Sequence, residues 1–396
     1  MAKSGLAARL YRGEADLNIV GKRKLWFGVA GALVLIAVLS FALNGFKLGI
    51  EFAGGNSFQV PASVGTLERA EQTVDDVLAA EAPGVEVVTA QKVGSTSGET
   101  YEMRTGQLTP EQAEAAKAAM AERFGIQTDE ISGSQVSEAW GSQVTSRAFL
   151  GLLIFIAVVS VYLVLRFEWR MAVAAIVSLL TNLILTAGIY SLVGFEVTPS
   201  TIIGFLTILG FALYDVVVVF DKVQENTRGI TANNNVTYGE ASNLALNQSL
   251  MRSLNTSVVA LLPVGGLLFI GAGLLGAGTL KDLGLVLFVG MAVAFLTSIV
   301  LATPLLVLLK NQDPRISAHN KRVLSRRAAI ARGEVTPKGA PRPAADDDQP
   351  IDPDAAALAG AAPKVGARPA AKRPSGARGS RPAGGGGNRP GSGKRR

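Results

Sequence analysis

The chain has 396 residues, 48% of them hydrophobic and 17% charged, with a formal net charge of +7 and a mean hydropathy of +0.33. Soluble domains carry roughly 25% charged residues, so much of this chain belongs in lipid. No cysteine and a single histidine, His319, exclude disulfides, thiolate metal centres, a Cys nucleophile and a Ser-His-Asp triad; no metal, cofactor or enzymatic activity is expected.

Lys22, Arg23 and Lys24 precede the first apolar run, 25–43. Further runs follow at 148–165, 171–192, 201–220, 257–275 and 283–309. Each is close to the roughly 20 residues that cross a 30 Å hydrocarbon layer. The pattern predicts an α-helical integral membrane protein with six transmembrane helices. The first run is too long for a signal peptide and reads as a retained anchor. Arg166 and Arg170 flank the turn between the second and third runs, and Arg228 and Arg252 fall between the fourth and fifth. Basic loops stay cytoplasmic, which places both termini inside and the acidic segment 44–147 outside the membrane.

That segment alternates strand and helix patterns. Phe58 and Val60 mark a strand, and Leu67, Val74, Val77 and Leu78 form a helical stripe. Val85, Val87, Tyr101 and Met103 indicate two strands around a turn at Gly94–Gly98. Thr109-Pro110 opens a second helix with Ala113, Ala116, Met120 and Phe124 on one face, and a last strand is expected near Ile131–Val136. This order suits a small ferredoxin-like α/β extracytoplasmic domain between helices 1 and 2. Residues 1–24 then form a cytoplasmic N-terminus, 148–309 hold helices 2–6, and 310–396 are a disordered basic cytoplasmic tail. The tail holds 19 of the 38 Lys and Arg residues and lacks an apolar period. Its charge suits anionic membrane lipids, at about 1 kcal/mol per cation near the surface, or the ribosome.

Asp215 is the informative acid, because it sits within the fourth run. A carboxylate there is costly unless paired, protonated or facing water. Arg252 is its candidate partner. Thr181 and Asn182 lie mid-span in the third run, able to hydrogen-bond across helices but without a titratable proton. Pro263 and Pro304 interrupt the fifth and sixth runs and should kink them.

Several segments resemble the SecD/SecF family of protein-export subunits. Leu48-Gly49-Ile50-Glu51-Phe52-Ala53-Gly54-Gly55 is similar to the Asp-Phe-Thr-Gly-Gly motif after that family's first span, with Glu51 for Asp and Ala53 for Thr. Leu165 to Arg170, Tyr214-Asp215 through Asn226, Asn247-Gln248-Ser249 with Arg252 and Thr256-Ser257, and Gly276 through Asp282 resemble segments of that family in the same order. The family commonly has His-Asp where this chain has Thr181-Asn182. The resemblance covers about 15–310 and implies a member of the RND superfamily acting with a SecD-like subunit and SecYEG. Its implied work is to use proton-motive force on unfolded preproteins, with Asp215 and Arg252 in proton transfer. Alternatives are an RND-type exporter of small molecules or lipids, and a non-transporting translocon assembly factor. An intramembrane aspartyl protease is disfavoured, since it needs two close carboxylates.

Overall fold

The computed structural model describes residues 17–94, 98–232, 235–274 and 278–333. Helix α1 (Arg23–Asn44) leads through the two-residue strand β1 (Lys47–Leu48) and one helical turn, α2 (Ile50–Ala53), into an α/β domain. The domain runs β2 (Gly55–Pro61), α3 (Leu67–Glu81), β3 (Val87–Val93), β4 (Thr100–Thr105), α4 (Pro110–Phe124) and β5 (Ser132–Val136). Its four strands lie antiparallel in the order β3-β4-β2-β5.

Local chemistry explains these elements. The Thr66 hydroxyl caps α3, and Thr109 and Gln112 form a capping box ahead of Pro110 in α4. Alternate residues of a strand share one face, so Phe58 and Val60 point together, paired with Met103 and Tyr101. Against that face pack Val74, Val77 and Leu78 of α3, with Ala116 and Met120 of α4. The strand and helix faces expected from periodicity are therefore the buried ones. Within the expected Gly94–Gly98 turn, 95–97 lie outside the described residues.

The remainder is helical: α5 (Glu138–Arg166), α6 (Trp169–Val193), a short strand β6 (Glu196–Val197) parallel to β1, α7 (Pro199–Thr227), α8 (Tyr238–Gly265), α9 (Gly278–Thr297) and α10 (Thr303–Asn311). The chain thus has six helices long and apolar enough to cross a membrane, the last two spanning Tyr238–Gly273 and Leu280–Asn311. Pro263 precedes a π-helical stretch, Gly266–Leu274, and Pro304 follows another, Ser298–Ala302. Removing a backbone donor frees a carbonyl, and widened turns adjoin both prolines.

Glycines let the helices approach closely. A Cβ on Gly188 of α6 would lie 2.3 Å from the Ala37 Cβ of α1. One on Gly290 of α9 would lie 2.1 Å from Ile208 Cδ1 of α7.

The structure corrects three expectations. The fifth spanning helix begins at Tyr238 rather than near 257, so Arg252 lies inside it and not in the preceding link. Thr237 and Glu240 form a capping box that starts it, and its early polar side chains are satisfied locally. Ser242 and Ser249 donate to the carbonyls of Tyr238 and Ala245. Hydropathy rises late in this helix although the helix itself does not start late. Likewise α5 begins at Glu138, capped by Ser137, inside the segment 44–147 expected to form the α/β domain.

The third correction concerns the tail expected to be disordered from 310. Residues Pro314–Ala331 form a helix, α11, capped by Asp313, which accepts the Arg315 N–H at 3.0 Å. Ile316, His319 and Val323 share its buried face. The Asn320 amide oxygen accepts the Tyr238 N–H at 3.0 Å. Composition averaged over 310–396 conceals this short apolar stripe. Residues 334–396, the rest of that tail, lie outside the described residues.

Candidate functional site

Four spans end in one plane. The Lys310 ammonium bonds Glu168 at the start of α6 and lies 5.8 Å over the Tyr238 ring at the start of α8. Tyr238 in turn meets the Thr227 hydroxyl at the end of α7. Helical rise of about 1.5 Å per residue then gives depths above this plane. Asp215 and Ser298 lie about 18 Å above it, Asn182 about 20 Å and Ser253 about 22 Å. Residues distant in sequence thus form a polar layer across the bundle.

Asp215 is 2% exposed, the only buried carboxylate among the described residues. The Ser298 hydroxyl, at the first residue of a π turn, donates to its Oδ2. The Ser253 side chain of α8 faces the same carboxylate without reaching hydrogen-bond geometry. Asn182 is fully buried, and its amide oxygen and nitrogen both lack partners. The hydroxyls of Ser257, one turn beyond Ser253, and of Thr303 are also buried and unpaired. Buried polar groups are nearly always hydrogen-bonded, to protein or to water. Thr181, by contrast, donates to its own helix at the Val177 carbonyl.

Asp215 and Arg252 are not brought together. Arg252 adjoins Ser253 in sequence but is exposed, and it forms no ion pair among the described residues. The residues meeting Asp215 are serines, which carry little signal in an apolar run. Ser298 and Ser253 were therefore missed by sequence reasoning.

A second cluster joins the α/β domain to the spans, at the glycine motif. Gly49 donates its N–H to the Val197 carbonyl at 2.9 Å and starts α2. Gly54 and Gly55 have φ of +78° and +149°, regions that favour glycine. A Cβ on Gly55 would sit 2.4 Å from the Thr105 carbonyl oxygen, and one on Gly54 would sit 3.0 Å from the Glu138 backbone. The motif is thus the tight passage between β4 and the start of α5.

Beside it, Arg104 of β4 is 4% exposed. Its guanidinium lies 2.8 Å from Glu196, 3.5 Å from Glu102 and 3.9 Å from Glu51. Burial works against the Arg104 cation, but the carboxylates, Glu196 foremost, outweigh it and push its pKa above the usual arginine range. Nothing in the sequence marks Arg104, because Glu196 is 92 residues away. Among the described residues no group of His, Cys, Asp or Glu is arranged to hold a metal ion.

The family model described as protein export membrane protein SecD/SecF, C-terminal, matches residues 116–312, and the SecD/SecF GG motif matches residues 39–64. The protein translocase subunit SecF of Streptomyces coelicolor is 43% identical over 89% of this chain and 93% of its own length. SecF of Mycobacterium tuberculosis is 41% identical over 94% of this chain and 88% of its own length. The crystal structure of SecDF from Thermus thermophilus, a translocon-associated membrane protein, superposes with a TM-score of 0.62 at 26% identity. It covers 78% of this chain, which spans 42% of that longer one. Six apolar helices in this order belong to a multi-pass membrane protein. The glycine motif and the spans that follow it are matched in sequence and in fold, so the chain belongs to the SecD/SecF family, among its SecF protein translocase subunits.

Proposed function

We propose that this protein couples proton-motive force to preprotein export, as a transport subunit rather than an enzyme, together with a SecD-like partner at the SecYEG channel. The observation that carries the reading is Asp215, the one buried carboxylate among the described residues, at mid-depth and bonded by a serine on a π turn. A carboxyl group there can alternate between charged and neutral forms when neighbouring helices shift, as proton relays in membranes do. The unpaired Asn182, Ser253 and Ser257 give water a place to bring the proton.

Arg252 lies about 21 Å above the plane of span ends and is exposed. A guanidinium at that depth needs an oxygen-rich neighbour. It therefore faces the SecD-like subunit and acts on the proton route through the assembled interface. The α/β domain is of ferredoxin-like type, supported by its strand order. It faces outside the plasma membrane, and both termini face the cytoplasm, in keeping with the basic residues at the far end of the spans. Strands β3 and β5 are edges that can accept an extended preprotein segment. The basic residues beyond the spans suit anionic lipids or the ribosome.

The test is Asp215→Asn in inverted membrane vesicles. The variant is expected to insert and assemble, to support ATP-driven initiation, and to lose gradient-driven translocation. Arg252→Met should be similar but milder. Full gradient dependence in Asp215→Asn vesicles would refute the proposal.

A further inference from the structure

At the end of the bundle away from the α/β domain, the chain ahead of α1 is fastened to α8. The Asn243 side-chain oxygen accepts the N–H groups of Ile19 and Val20, both at 3.1 Å. The Asn247 oxygen accepts the Leu17 N–H at 3.0 Å, and both amide nitrogens donate to the Leu17 carbonyl. These bonds hold Lys22, Arg23 and Lys24 beside the first turn of α8 and leave a groove of about 1170 Å³ between them.

Three features fix the chemistry of this groove. Its cations are Lys22, Arg23 and Lys24, and none forms an ion pair among the described residues. Its one carboxylate, Glu240, is held at both oxygens by Arg327 of α11, at 2.6 and 2.8 Å. The groove therefore keeps a surplus of positive charge, strengthened by the amino-terminal end of α8. Its rim toward the spans carries Leu25 and Leu244, 58% and 51% exposed.

We propose that this groove binds the headgroup of an anionic glycerophospholipid. The phosphodiester sits among Lys22, Arg23 and Lys24, and the acyl chains start along Leu25 and Leu244. Free phosphate satisfies the cations but leaves the two leucines bare, so the lipid is the better fit. Arg327 is a positioning residue, which neutralises Glu240 and so removes the repulsion that the phosphate would meet. It makes occupancy of the groove depend on the docking of α11.

Native mass spectrometry of the full chain, purified in mild detergent and titrated with phosphatidylglycerol or phosphatidylcholine, tests this. One phosphatidylglycerol should be retained at least about tenfold in preference to phosphatidylcholine, given the usual strength of cation–headgroup attraction. K22Q/R23Q/K24Q should abolish that preference. R315Q/K321Q/R322Q removes as much charge from exposed positions of α11 outside the groove and should leave the preference within about twofold. R327Q, which keeps all three groove cations, should weaken retention several-fold, and E240Q in that background should restore it. Equal loss in both triple variants would show diffuse charge attraction and overturn the site. Displacement of the lipid by millimolar inorganic phosphate would overturn the lipid in favour of a free anion. No preference in the unaltered chain would also overturn the proposal.

Discussion

Replacing Arg104 by Met tests whether one cation fastens the α/β domain to the spans. Its guanidinium is 5% exposed, and the Glu196, Glu102 and Glu51 side chains facing it are 11%, 15% and 27% exposed. Breaking a buried pair by removing one member costs about 3–5 kcal/mol, because the other charge stays behind uncompensated. Glu51 can turn toward water, which favours the lower end, about 3 kcal/mol. Glu196→Gln should cost less, about 1–2 kcal/mol, since Glu102 and Glu51 still neutralise the arginine. Arg104→Met/Glu196→Gln should then cost less than the two single changes together, by at least about 1 kcal/mol. Unfolding by titrated dodecyl sulfate in mild-detergent micelles measures all three, and amide exchange of β4 and β6 shows where the loss falls. Additivity within about 0.5 kcal/mol, or a cost for Arg104→Met under about 1 kcal/mol, would refute the reasoning.

Gly55→Ala places a methyl group 2.4 Å from the Thr105 oxygen at φ +149°, so the link between α2 and β2 must shift; a stability loss of about 2 kcal/mol or more is expected, read by limited proteolysis of the α/β domain. Gly188→Val drives a branched side chain into the Ala37 backbone, 2.9 Å from the position of a Cβ; cysteine crosslinking between α1 and α6 should fall sharply while insertion persists. The Asp313 carboxyl is held below the usual carboxylate range by the Arg315 backbone N–H and by the Arg170 side chain. A depressed folded-state value contributes stability present above the unfolded-state value and lost as pH falls through the folded one, so α11 should stay docked at neutral pH and loosen below about pH 4. Protease cleavage within 314–331, followed from pH 7 to pH 3, checks this, and Asp313→Asn should be equally susceptible at every pH.

Periodicity and hydropathy by themselves determined the six spans, the helix and strand faces of the α/β domain, and Asp215 as an acid within an apolar run. These are local properties: a stripe at 3.6 or 2 residues, or a charge among leucines, is visible without knowing the neighbours. The start of the fifth span at Tyr238 was not visible, because Asn243, Asn247 and Ser249 lower the hydropathy while their side chains are satisfied within the fold. Nor was the docking of α11, whose stripe of Ile316, His319 and Val323 acquires meaning only against the loop and helix it covers. The Asp215 environment depended on tertiary structure for the same reason. Arg252, the charged candidate, is turned outward, while Ser298, 83 residues along the chain, supplies the bond. The Arg104 cluster spans three separate segments, and each glutamate taken singly reads as a surface charge. Attraction among them arises only where folding removes the water between them, and that step belongs to the packed structure.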